Sequence, residues 1–185
     1  CFERILAGVA EPIASWFFER LAGFRQDPAI AFGSVTASYG DLLDLVEVWT
    51  QELGRQGLGA GSVVVVEGGF SPQAVSLVLA LIRARAVVVP LTPLLSVHRP
   101  EFEQISEASA TIVIDADERW TVTRHERAVS NPLTLELLER AHPGLVIFSS
   151  GSTGKPKAIL HDFAGLLEKF RRPSVKKATM AFLLF

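Results

Sequence analysis

The chain reads as an α/β layered domain, a mostly parallel sheet with flanking helices, and three observations carry that reading. Two continuous apolar runs, Val63 to Val66 and Ala86 to Leu91, have the composition of strands buried on both faces. Between them, Ser71 and Pro72 suit the cap and first turn of a helix that continues through Ala84. Strand, helix and strand within about thirty residues make one βαβ unit of a parallel sheet. The alternation then repeats: a helix around Glu101 to Ser109 opens near Pro100, and "TIVID" (Thr111 to Asp115) follows as a strand after a third crossover. In such folds ligands gather at loops beyond strand ends.

The remaining elements follow in order. Ile13, Trp16, Phe17, Leu21 and Phe24 recur at helical spacing until Asp27 and Pro28 stop the pattern. Ala29 to Phe32 and Val35 to Tyr39, split by Gly33 and Ser34, predict a small hairpin. Asp41 is an early helix acid ahead of Leu42, Leu43, Val46, Trp49 and Leu53, an amphipathic helix ending near Gly54 and Gly57. Gly59 to Gly61 turn the chain into the first buried strand. Downstream, "WTVTRHE" alternates like an exposed strand, and Leu133 to Arg140 reads as a helix broken by Pro143 and Gly144. Leu145 to Phe148 is a strand, "KAILH" a second one, and "DFAGLLEKF" a helix starting at Asp162.

A chain of 185 residues suits one domain, or part of a larger one, and a net charge of −2 with no basic tract argues against a nucleic-acid partner. Cys1 is the sole cysteine, so an intrachain disulfide is impossible and a reducing, cytoplasmic setting is the simplest expectation. No apolar stretch is long enough for a transmembrane segment, since Arg83 and Arg85 interrupt the longest. Glu3, Arg4 and Glu11 argue against a signal peptide. The closing run "ATMAFLLF", without cap or turn, reads as the edge of a fragment.

The segment that bears most on function is "LVIFSSGSTGKPKAILHDF", Leu145 to Phe163, where an apolar strand stops at the small residues Ser149 to Gly154. Glycine lets backbone N–H groups turn toward an anion with no Cβ in the way, and Ser and Thr hydroxyls add donors at short reach. Lys155 and Lys157 supply positive charge, so the loop suits a polyphosphate. The Walker pattern does not fit: Ser149 stands where its first Gly belongs, and Pro156 follows Lys155 where Ser or Thr is required.

"SSGSTGKPK" instead resembles the phosphate-binding signature [ST]SG[ST]TGxPKG of the adenylate-forming (AMP-binding) superfamily, which includes acyl-CoA synthetases, luciferases and nonribosomal adenylation domains. Ser149, Ser150, Gly151, Ser152, Thr153, Gly154, Pro156 and Lys157 match in register, with Lys155 at the variable place and Ala158 where Gly is usual. Upstream, "SYGDL" (Ser38 to Leu42) resembles TYxEL, and "SPQAVSLVLALIRARAVVVPLTP" resembles the AxLKAGAxxxPLxP segment, with Arg85 at the Gly. Arg85 is therefore expected to strain or reshape the turn entering the second strand. Phe163 occupies a place where many members have His.

The resemblance implies that residues 1–185 are a truncated N-terminal subdomain, part of the large domain of an AMP-dependent synthetase or ligase, with the C-terminal portion absent. It further implies an acyl-CoA synthetase-like ligase, connected to fatty acid metabolism, that activates a small-molecule carboxylate with ATP and Mg²⁺ to an acyl-adenylate. A thiol, of coenzyme A or a carrier protein, then takes the acyl group. In that scheme Ser149 to Lys157 grip the β and γ phosphates, and Ser149 meets Mg²⁺ through its hydroxyl. The adenine, acyl and catalytic-lysine motifs of the family lie downstream, so the fragment alone is expected to be inactive. The alternative is a non-catalytic nucleotide- or partner-binding module that kept the fold.

Other residues carry structural readings. His161 beside a helix start reads as a surface or capping group, and His98, His125 and His142 lack the paired spacing of a metal site. Arg83 and Arg85 complement a helix dipole, and Glu136 and Glu139 are helix surface.

Overall fold

A computed structural model of the protein describes residues 15–150 and 156–172. The order is α1 (Ser15–Ala22), β1 (Pro28–Phe32), β2 (Val35–Ser38), α2 (Tyr39–Arg55), β3 (Val63–Glu67), α3 (Pro72–Arg83) and β4 (Val87–Leu91). A 3₁₀ turn at Pro93–His98 leads into α4 (Arg99–Ile105), then β5 (Ala110–Ile114), β6 (Trp120–Arg124), α5 (Pro132–Glu139), β7 (Gly144–Ser150), β8 (Pro156–Asp162) and α6 (Phe163–Glu168). β1 and β2 form an antiparallel hairpin, as the turn at Gly33 and Ser34 predicts. The other six strands form one sheet in the order β6-β5-β3-β4-β7-β8.

Within that sheet β5, β3, β4 and β7 run parallel, while β6 and β8 are antiparallel edges. β3 is central and every residue of it is buried, which is why its sequence does not alternate. Its pleat still sorts side chains by face. Val64 and Val66, with Val88 and Ile112, meet Val46, Trp49 and Leu53 of α2 and Leu77 and Leu81 of α3. Val63 and Val65, with Val87 and Val89, meet Phe102 of α4 and Leu137 of α5. Burying each such aliphatic side chain contributes about 1.5–3 kcal/mol before conformational entropy is subtracted. Helices therefore cover both faces, and where α2 and α3 pack together the fully buried Ser76 donates its hydroxyl to Leu42 O at 3.2 Å.

Caps define the helix starts. Ser38 and Asp41 form a capping box on α2: the Ser38 hydroxyl accepts from Asp41 N at 3.1 Å, and Asp41 Oδ2 accepts from Ser38 N at 2.8 Å. Ser71 caps α3 by accepting from Ala74 N, with Pro72 in the first turn, as its sequence predicts. The helix expected over Glu101 to Ser109 is shorter at its end and begins at Arg99. It stops because Glu107 takes φ 54° while Ala108 N bonds Glu103 O at 2.9 Å, a Schellman closure.

The same closure ends α2 at Gly57 (Leu58 N to Leu53 O), α3 at Arg85 (Ala86 N to Leu81 O) and α5 at Ala141 (His142 N to Leu137 O). Arg85, at φ 60°, thus adopts the left-handed conformation that glycine takes without a Cβ penalty.

Candidate functional site

The site is built on the β7–β8 hairpin. Its register sets Ser149 directly opposite Lys157 and Ser150 opposite Pro156. Ser149 and Lys157 are both exposed, so a hydroxyl and an ammonium stand as cross-strand neighbours at the hairpin's far end. Gly151, Ser152, Thr153, Gly154 and Lys155, and the side chain of Ser150, lie outside the described residues, as do Cys1, Ile13 and the run from Ala178 to Phe185.

Topology puts this hairpin end at a crevice. The chain leaves β4 across β3 to β5, whereas it leaves β7 outward to β8, so neighbouring strands send their connections to opposite sides. The β4–β7 ladder consists of Val87–Gly144 and Val88–Leu145. Beyond Leu145, β7 pairs with β8 as a two-stranded ribbon. On the α3 side, the gap between the ribbon and the end of β4 is a groove of about 450 Å³. Its lining includes Pro90, Leu91 and Thr92 at the end of β4, Ile147 of β7, Phe163 of α6, and Gly68, Val75 and Val78. Phe163 also packs against the α2–α3 core, which accounts for an aromatic ring at that position.

On the α4 side a smaller cavity, about 260 Å³, is lined by Leu95, His98, Glu101, Phe102, Phe148, Ser149 and Pro156. Phe102 and Phe148 stack there, ring centroids 4.2 Å apart and planes at 24°. Behind them runs a polar network. Arg99 Nη1 donates to Glu67 Oε2 at 3.0 Å, and Arg99 Nε lies 3.6 Å from Glu103 Oε1. Thr111 Oγ1 is 2.7 Å from Glu103 Oε1 and 2.9 Å from His125 Nε2. The hydroxyl has one proton and gives it to the carboxylate, so His125 Nε2 must be the donor toward Thr111. His125, for which the sequence pattern gave no partner, is thereby joined to the network.

At the other end of β8, Asp162 caps α6 by accepting from Gly165 N at 3.1 Å and faces His142 Nδ1 at 2.9 Å. Burial pushes the Asp162 carboxyl up, but hydrogen bonds from His142 and from the N–H groups of Gly165 and Ala164, with the His142 charge, outweigh it and hold it below the usual range. The cap is Asp162 rather than His161, which sits in β8 opposite Leu145. Arg83 pairs with Glu47 of α2, and Glu136 with Arg140 on the surface of α5.

At the described end of the hairpin the exposed Ser149 hydroxyl and Lys157 ammonium are a donor and a cation of the kind that a triphosphate would need. For Mg²⁺, a cation that takes oxygen ligands, the Ser149 hydroxyl is the group that this end of the hairpin would offer. Among the described residues no group of three or more His, Cys, Asp or Glu could hold a metal ion, and no helix is long and apolar enough to cross a membrane. Of the residues expected from the sequence to bind phosphate, Ser149 to Lys155 and Lys157, the side chains of Ser149 and Lys157 are described. Sequence reasoning missed Phe102, Phe148 and Arg99, whose partners lie far away along the chain and leave no local signal.

Known proteins resemble this chain in sequence and in fold. The family model described as AMP-binding enzyme matches residues 17–181. Surfactin synthase subunit 3 of Bacillus subtilis (strain 168) is 25% identical over 171 residues, covering 84% of this chain and 13% of that protein. The AMB antimetabolite synthetase AmbE of Pseudomonas aeruginosa is 26% identical over 177 residues, 89% of this chain and 8% of its own. Among solved structures, the Klebsiella oxytoca NpsA N-terminal subdomain in complex with 3-hydroxyanthranilyl-AMSN superposes with a TM-score of 0.57 at 22% identity, over 77% of this chain and 38% of that one. VinN in complex with L-aspartate superposes with a TM-score of 0.60 at 20% identity, over 80% and 47%. These structural likenesses show the fold. The chain spans less than half of each of these proteins.

Proposed function

Because the chain belongs to the AMP-binding enzyme family, we propose that the full-length protein activates a carboxylic acid with ATP, forming an acyl-adenylate and releasing pyrophosphate, and passes the acyl group to a thiol. A carboxylate oxygen attacks the α-phosphorus as the bond to pyrophosphate breaks. An anion then approaches a polyanion, so positioning and charge neutralisation are what the protein must supply. Ser149 and Lys157, with the intervening Ser150 to Lys155, hold the β and γ phosphates. Lys157 offsets the charge that gathers on the leaving pyrophosphate. Mg²⁺, when bound, neutralises phosphate charge further, and the Ser149 hydroxyl is this chain's contribution to its shell.

The observation that carries this reading is the pairing of Ser149 with Lys157 at the end of a hairpin whose sequence, "SSGSTGKPK", is the family's phosphate signature in register. The acceptor is a thiol of coenzyme A or of a carrier protein. Relatives that are named as nonribosomal peptide synthetases, from Fusarium pseudograminearum and Aspergillus fumigatus, support the carrier protein and give less support to fatty acid metabolism.

The test is carboxylate-dependent exchange of labelled pyrophosphate into ATP by the full-length protein across a panel of aryl, aliphatic and amino acids. Exchange with at least one acid is the expected result. A folded protein that binds ATP but exchanges with none is the binding module instead.

A further inference from the structure

We propose that Phe102 is a positioning residue for the nucleotide phosphates, acting through its stack on Phe148 to set where the β7–β8 hairpin end stands; this rests on the reading of that hairpin as the phosphate site. The ladder between β4 and β7 ends at Leu145, so Val146 to Ser150 are tied by backbone hydrogen bonds to β8 and not to the body of the sheet. A two-stranded ribbon is marginally stable by itself. Its location must come from side chains.

The two faces of the ribbon differ. Ile147 borders the open α3-side groove and is 40% exposed, so that contact leaves room to move. Phe148, the next residue, is stacked on Phe102 at 4.2 Å. Phe102 is itself fixed. It is 6% exposed within the α4–α5 core, and it lies one turn beyond Arg99, which binds Glu67 at the end of the central strand. The buried central strand, the helix tied to it by Arg99, the stacked rings and then Ser149 form a continuous chain of contacts. A loop that must meet phosphate oxygens within a few tenths of an ångström depends on such an anchor, because displacement of about 1 Å at a positioned group is enough to cost much of its effect.

The experiment measures ATP affinity of the full-length protein by equilibrium titration with a fluorescent ATP analogue, together with KM values in pyrophosphate exchange. Phe102→Ala should weaken ATP binding by about five- to tenfold and raise the KM for ATP while leaving the KM for the acid within about twofold. Phe102→Tyr, which keeps the ring, should restore both. Leu81→Ala, a core truncation on the opposite face, should lower Tm without changing ATP affinity.

If Phe102→Ala does not fold, Phe102→Leu, which keeps apolar bulk without a stacking ring, takes its place with the same expectation. Wild-type affinity for ATP in the folded variant, or equal rises in both KM values, overturns the inference alone. A wild-type protein that binds no ATP overturns the functional reading and the inference with it.

Discussion

Arg99 Nη1 on α4 lies 3.0 Å from Glu67 Oε2 at the carboxyl end of β3 and joins the helix to the sheet. Glu67 is 6% exposed, so little water can replace this partner. Arg99→Leu should therefore destabilise the protein by roughly 2–3 kcal/mol, less than for a fully enclosed pair because the Arg99 side chain keeps some solvent contact. Chemical denaturation gives the value directly. The double variant Glu67→Met with Arg99→Leu should recover part of the loss, since Glu67 is then no longer an orphaned charge, while Glu103 loses Arg99 and keeps its hydrogen bond from Thr111.

At the end of α3 the sign reverses. Arg85 sits at φ 60°, where an L side chain is strained, and Arg85→Gly should raise stability by about 0.5–1 kcal/mol once the greater freedom of Gly in the unfolded chain is subtracted. Thermal unfolding should show a Tm increase of roughly 1–4 °C. A decrease would mean that side-chain contacts of Arg85 outweigh its backbone strain.

Gly144 opens β7 in a space with no room for a methyl group. A Cβ there would stand 2.7 Å from Leu137 Cδ2 and 2.9 Å from Val87 Cγ2. Gly144→Ala should cost about 1–3 kcal/mol through overpacking, and it presses on one of the two residue pairs that join β7 to β4. Hydrogen exchange should be faster at β7 amides than at β3 amides in this variant.

Asp162 predicts a pH dependence. Its folded pKa is depressed, so the stability it adds is complete above the ordinary carboxylate pKa and is lost as pH falls through the lower folded value. Asp162→Ala removes the α6 cap and should cost about 1 kcal/mol at neutral pH. Denaturation curves of the two proteins should draw together as the pH drops from about 5 toward 2. A constant gap across that interval would rule out the ionised cap as its source.

Lys157→Ala in the full-length protein should slow adenylation by at least about tenfold while changing acid binding little, because the ammonium acts on charge that develops on the leaving pyrophosphate. Single-turnover formation of the acyl-adenylate, measured beside equilibrium binding of the acid, separates the two. Unchanged turnover would remove Lys157 from the mechanism.

The elements themselves were legible because their determinants are local. The valines of β3 and β4 announced buried strands, Ser71 and Pro72 a helix start, and Gly33 with Ser34 a turn. The expectation for Ser149 and Lys157 came from a contiguous stretch that resembles a phosphate signature, and what the structure adds is that hairpin register sets the two residues opposite each other. Where α4 ended was misjudged, since a Schellman closure with Glu107 at the left-handed position carries no glycine to mark it.

The sequence by itself determined the α/β alternation, the family signature and the two residues that flank the loop, all properties of neighbours along the chain. Only the tertiary structure decided that β7 parts from β4 after Leu145, that the Phe102 ring meets the Phe148 ring across the resulting gap, and that Arg99 satisfies Glu67. Those contacts join residues whose meeting depends on strand order and crossover. No local pattern of side chains encodes strand order, because it emerges when both faces of the sheet are covered at once.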